Sequence, residues 1–65
     1  MYKVYYLYWD DLTAEEQDDC RYMYEHTMND MYGLTPEQRT KEALDAALSE
    51  MWFTHSDEGD IEIVW

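Results

Sequence analysis

Tyr2-Lys3-Val4-Tyr5-Tyr6-Leu7-Tyr8-Trp9 is almost unbroken aromatic and β-branched sequence. It is too short for a stable helix and rich in strand formers, which predicts a strand. Its two faces are Tyr2/Val4/Tyr6/Tyr8 and Lys3/Tyr5/Leu7/Trp9, neither of them clearly polar, and Asp10-Asp11 ends it. The period then changes from two to 3.6. Thr13, with Glu16 three residues on, is a capping box, and carboxylates in the first turn suit the helix dipole. From there Gln17, Cys20, Tyr24, Thr27, Met28 and Met31 share one side of a helix. Glu15, Asp18, Asp19, Tyr22, Glu25, His26 and Asn29 share the other. Gly33 is the expected stop.

Thr35, Pro36 and Gln38 repeat the start signal, with Pro at the first helical position. The pattern predicts a second helix to about Trp52. Thr40, Leu44, Ala47, Leu48 and Met51 are its buried stripe, and Arg39, Glu42, Asp45, Ser49 and Glu50 lie outside. Trp52 to His55 reads either as the first strand of a hairpin or, as far as Thr54, as a prolonged helix. Ser56 to Asp60 reads as a turn in which Gly59 supplies a positive φ, and Ile61 to Trp65 as a strand with Ile61, Ile63 and Trp65 inward. The expected class is therefore α+β: two helices packed on a small antiparallel sheet, order β-α-α-β-β, in one domain over residues 1–65.

Charge changes the picture. The 65 residues carry 16 acidic and four basic side chains, a net charge of −12, yet 46% of the chain is hydrophobic and 17% aromatic. A disordered acidic tail would be poor in aromatics, so this chain folds. Direct nucleic-acid binding needs a positive footprint and is excluded. One cysteine, Cys20, makes no internal disulfide, which fits a reducing compartment. Met1 to Trp9 has no basic segment or aliphatic run of a signal peptide, and no apolar stretch approaches the roughly 18 residues of a membrane span. A cytoplasmic protein without membrane partners is expected.

Candidate chemistry is sparse. Catalytic carboxylate pairs need one member buried and shifted, and these acids fall on solvent-facing positions and turns. Cys20, His26 and His55 have no zinc spacing, and Asp57, Glu58, Asp60 and Glu62 resemble a calcium loop in composition only. Neither an enzyme nor a metal or cofactor site is expected. Cys20 reads as a small buried hydrophobe among carboxylates.

What remains is the acidic surface, concentrated in two blocks. Asp10, Asp11, Glu15, Glu16, Asp18 and Asp19 form one, and Asp57, Glu58, Asp60 and Glu62 the other, with no basic residue inside either. A solvated face that promotes solubility is one reading, although small soluble domains do well with a net charge of about 2–8. Mimicry of a nucleic-acid backbone is another. Duplex DNA carries one negative charge per about 1.7 Å, so twelve charges match roughly 20 Å of duplex. Helix positions four apart are about 6 Å apart and alternate strand positions about 6.6 Å, both near the phosphate spacing along one strand. Glu15/Asp19, Asp18/Glu25 and Glu42/Asp45 are candidate rows. Tyr22, in the middle of the acidic helix face, is a candidate anchor, since charge gives attraction but little specificity. The exposed side of the Tyr-rich first strand is a second candidate contact surface or the seam of a weak homodimer.

In size, charge, aromatic content and lack of disulfides, the whole chain resembles the small acidic DNA mimics of phages and mobile elements. These include anti-CRISPR proteins, anti-restriction proteins and uracil-DNA glycosylase inhibitors. The resemblance implies a non-enzymatic inhibitor that fills a basic DNA cleft, first of all in a CRISPR effector of the Cascade type, where it blocks target-DNA or PAM engagement. An acidic adaptor that binds a basic protein surface unrelated to nucleic acid is the alternative.

Overall fold

The computed structural model describes residues 5–65. The order is β-α-α-β-β: β1 Leu7–Tyr8, α1 Ala14–Tyr32, α2 Lys41–Leu48, β2 Trp52–His55 and β3 Ile61–Val64. All pairings are antiparallel and the sheet order is β1-β2-β3, so β2 is central. Leu7 pairs with Phe53, and Phe53 with Ile63. Tyr8 pairs with Trp52, and Trp52 with Val64. This register puts Leu7, Phe53, Ile61 and Ile63 on one face, against the helices. The core is Trp9, Leu12, Cys20, Leu44, Leu48, Phe53, Ile61 and Ile63, with Leu7, Met23, Tyr24 and Met51 packed around it.

α1 is bounded as its sequence dictates. The Thr13 hydroxyl accepts from the Glu16 amide at 3.2 Å, and Glu16 accepts in return from the Thr13 amide at 2.9 Å. At the other end Gly33, at φ +71°, donates its amide to the Asn29 carbonyl, and the Asn29 side chain accepts from the Leu34 amide. Gly59 takes φ +89° in the hairpin turn, where the Ser56 hydroxyl accepts from the Asp60 amide.

Several expectations are corrected. The first strand, expected over Tyr2–Trp9, is regular only at Leu7–Tyr8; the part of it at residues 1–4 lies outside the described residues. The Asp11 carboxylate accepts from the Tyr8 amide at 2.9 Å and draws Trp9–Asp11 into a 3-10 turn that tucks Trp9 into the core. The second helix is broken and shorter than expected. Thr35 caps only a 3-10 turn, Pro36–Arg39, and Thr40 then takes an extended conformation and caps α2 through the Ala43 amide. Thr40 is thus exposed rather than part of the buried stripe. α2 ends at Leu48 because Ser49 returns its hydroxyl to the Ala46 carbonyl, while the Glu50 and Met51 amides close tight turns three residues back. Trp52 to His55 is strand, not helix. Met31, expected on the buried side of α1, is 63% exposed. A 19-residue helix is about 28 Å long and a four-residue strand about 13 Å, so the end of α1 projects beyond the sheet that would cover Met31.

A domain of this length is stable by roughly 3–10 kcal/mol. Phe53 and Leu48 are completely buried. Leu48→Ala is expected to cost about 2–5 kcal/mol and leave a substantial unfolded population in buffer, measured by urea denaturation followed by far-UV circular dichroism.

Candidate functional site

Asp19 of the first acidic block and Asp60 and Glu62 of the second, far apart in sequence, line one groove. α1 packs beside β3, the edge strand that carries the second block, and Tyr22 stands between them with 72% of its surface exposed. Asp19, Tyr22, Met23, Asp60 and Ile61 line one cleft there. A larger one of about 440 Å³ continues along the strand between Tyr22, His26 and Thr27 on one side and Glu62, Ile63 and Trp65 on the other. A third joins Tyr22 to Glu25, Asn29 and Arg39. Tyr22 is thus shared by all three. Its ring lies parallel to that of His26, one helical turn on, with centroids 6.1 Å apart. His26 in turn faces Asp30 at 3.4 Å.

The remaining candidates are dispersed. Asp10 and Asp11 are exposed on the turn before α1, Glu15 in the first turn of α1, and Glu42 in the first turn of α2. Asp57 and Glu58 are at the tip of the hairpin. Several acids in the expected phosphate-like rows are engaged internally. The Arg21 guanidinium donates to Asp18 and to Asp45, each at 2.5 Å, and lies 5.4 Å from the centre of the Trp9 ring. Asp45 is therefore half-buried rather than outside. Arg39 donates to Glu25 at 2.9 Å. Among the described residues no ion pair holds Asp19, Asp60 or Glu62. These three carboxylates, with Tyr22, line the groove between α1 and β3 outside the ion pairs.

His26 and Trp65 belong to this groove and were not among the sequence candidates. The four-residue spacing of Tyr22 and His26 is the signal for the first, because side chains at that spacing stack on a helix. Trp65 was expected to face inward as part of the β3 alternation, but it is 65% exposed and stacks on Tyr24 at 6.0 Å.

Glu16 is held below the usual carboxylate range, first by the Thr13 amide and then by His55, whose Nε2 lies 3.1 Å from it. Cys20 is pushed up to about 11 by burial and by the nearby Asp19 and Glu16 charges, so it stays a thiol at neutral pH. Among the described residues no group of three or more His, Cys, Asp or Glu side chains is placed to hold a metal ion, and no helix is long and apolar enough to cross a membrane.

No protein-family model matches this chain, and no curated protein or solved structure shows significant similarity to it.

Two outcomes follow from these titrations. Because Glu16 is depressed in the folded state, its stabilising effect is full above the unfolded carboxylate value of 4.5 and is lost as pH falls through the folded one. Glu16→Gln should therefore lower the thermal midpoint at pH 7, with the gap to the parent protein narrowing on acidification below pH 4.5. Cys20 should resist thiol reagents at pH 8 in the native state and react at once in urea, as an absorbance-based thiol titration would record.

Proposed function

We propose that this chain is a non-enzymatic inhibitor whose acidic α1–β3 groove occupies the basic nucleic-acid-binding site of a partner protein in the cytoplasm of a host cell. The observation that carries the reading is the convergence of Asp19, Asp60 and Glu62 around the exposed Tyr22. Carboxylates from a helix and from the strand beside it put negative charge on both sides of one groove, as the two backbones of a duplex groove do. α1, about 28 Å long, is longer than the roughly 20 Å of duplex that twelve phosphates occupy. Tyr22 gives this surface an amphipathic side chain of the kind that anchors protein interfaces.

Maintaining −12 on a small domain costs stability through self-repulsion, and a surface kept at that cost is best explained by an interaction that uses it. A CRISPR effector of the Cascade type, blocked at target-DNA or PAM engagement, is the first candidate partner. Its DNA channel offers the density of Arg and Lys that this groove complements.

Binding to such a partner should weaken steeply with salt and compete with DNA. Asp18 and Glu25 hold Arg21 and Arg39, so reversing them would disturb the fold as well as the surface. The informative variant reverses Asp19, Asp60 and Glu62 to Lys. It is expected to fold with parental helical content and to lose at least tenfold in affinity for a purified Cascade-type complex, measured by DNA-competition electrophoresis. Simultaneous binding of DNA and this protein, without mutual weakening, refutes mimicry and leaves the acidic-adaptor reading.

A further inference from the structure

The helices cover only one face of the sheet. On the other, the register sets Tyr8, Trp52 and Val64 in one row across β1, β2 and β3. Tyr6 stands next to them, meeting Trp52 edge-on at a centroid distance of 6.0 Å, while Tyr8 lies against Trp52 at 4.5 Å. Tyr6, Tyr8 and Trp52 are each about half exposed, at 53%, 56% and 45%. Tyr6, Trp52 and Val64 bound an open cleft of about 300 Å³. Glu62 is on the outward side of β3 and is the acid that this face shares with the α1–β3 groove.

We propose that this aromatic face is a platform for arginine side chains of the basic partner, the guanidinium lying on Trp52 between Tyr6 and Tyr8. The inference rests on the reading of a basic partner and specifies which cation it presents. Charge decides among the possible occupants. Nucleic-acid bases stack on aromatic sheet faces only where a positive groove holds their backbone, and this chain carries −12. A second copy would bring the same charge against itself. The three half-exposed rings also offer about 300 Å² between them, against about 800 Å² per partner in a stable dimer. A cation is attracted both by the ring faces and by Glu62 on the same side of the sheet. Arginine suits the site better than lysine because its planar, weakly hydrated guanidinium stacks on a ring, whereas the compact ammonium keeps its water. The chain already uses this contact internally, where Arg21 lies over Trp9.

The test is an NMR titration of the full chain with two peptides of equal charge, one alternating Arg and Gly, the other Lys and Gly. The Arg peptide is expected to bind about two- to fivefold more tightly, the ratio that an exposed cation–π contact confers, with the largest shifts at the Trp52 indole and at Tyr8. Trp52→Thr and, separately, Tyr8→Thr retain strand propensity. Each should reduce the Arg-to-Lys ratio to about one while the shared charge-driven binding persists. Asp19→Lys with Asp60→Lys should weaken both peptides and leave the ratio intact. Equal affinity for the two peptides overturns the proposal. So do shifts confined to the α1–β3 groove, or concentration-dependent dimerisation that removes Trp52 from solvent. If the Arg preference holds while DNA competition fails, only the mimicry reading falls.

Discussion

Arg21 is the interaction on which the rest of this structure depends. With four basic residues against 16 acidic ones, the chain must spend its few cations where they join elements, and Arg21 joins three. It springs from α1, pairs with Asp18 of the same helix and Asp45 of α2, and lies over Trp9 in the turn that follows β1. Its side chain is only 15% exposed, and its contact with the half-buried Asp45 is better shielded from water than the one with Asp18, which is 76% exposed. The same position explains why Asp45, an acid, can sit at the helix–helix seam. Without Arg21, two carboxylates would face each other across that seam and push α2 from the helix that closes the core.

The interior beneath is thin. Eight buried residues, five of them from outside α1 and α2, leave room for a single layer of contact between helices and strands. Every acid must then be placed at the surface, and the structure contains no buried polar or charged residue among those described. Sidedness therefore does for this domain what a large core does for bigger ones. One face of each element is apolar enough to hold, and the opposite face is left to accumulate charge or aromatic rings.

Local signals were readable from the residues because their physics is local. The Thr13–Glu16 box, the positive φ at Gly33 and the hairpin turn at Gly59 are all decided within a few residues. The order of elements followed from them. What escaped was decided by competition or by distance. Thr40 fits a helical stripe by period, but its hydroxyl offers the backbone a cap, and the cap prevails. Trp9 continues a strand pattern until the Asp11 carboxylate captures the Tyr8 amide. Met31 satisfies the periodicity of α1 and still finds nothing to pack on, since periodicity carries no information about how long the opposing layer is. For the site, the acids and Tyr22 were visible in the sequence. Their sorting into engaged and free ones was not, because it depends on where Arg21 and Arg39 reach.

The place of β1 has a consequence for how the molecule assembles. β2 and β3 are joined by a five-residue turn and α1 forms along contiguous chain, so these parts can be gained early by short-range contacts. β1 pairs with a strand 45 positions away, through Leu7 and Tyr8 among the described residues, after both helices have been laid down between them. Its docking closes the longest loop in the fold, which carries the largest closure entropy. The N-terminal strand is thus the last piece to join. When it leaves, Tyr8 goes with it, so the outer sheet surface is complete only when folding is.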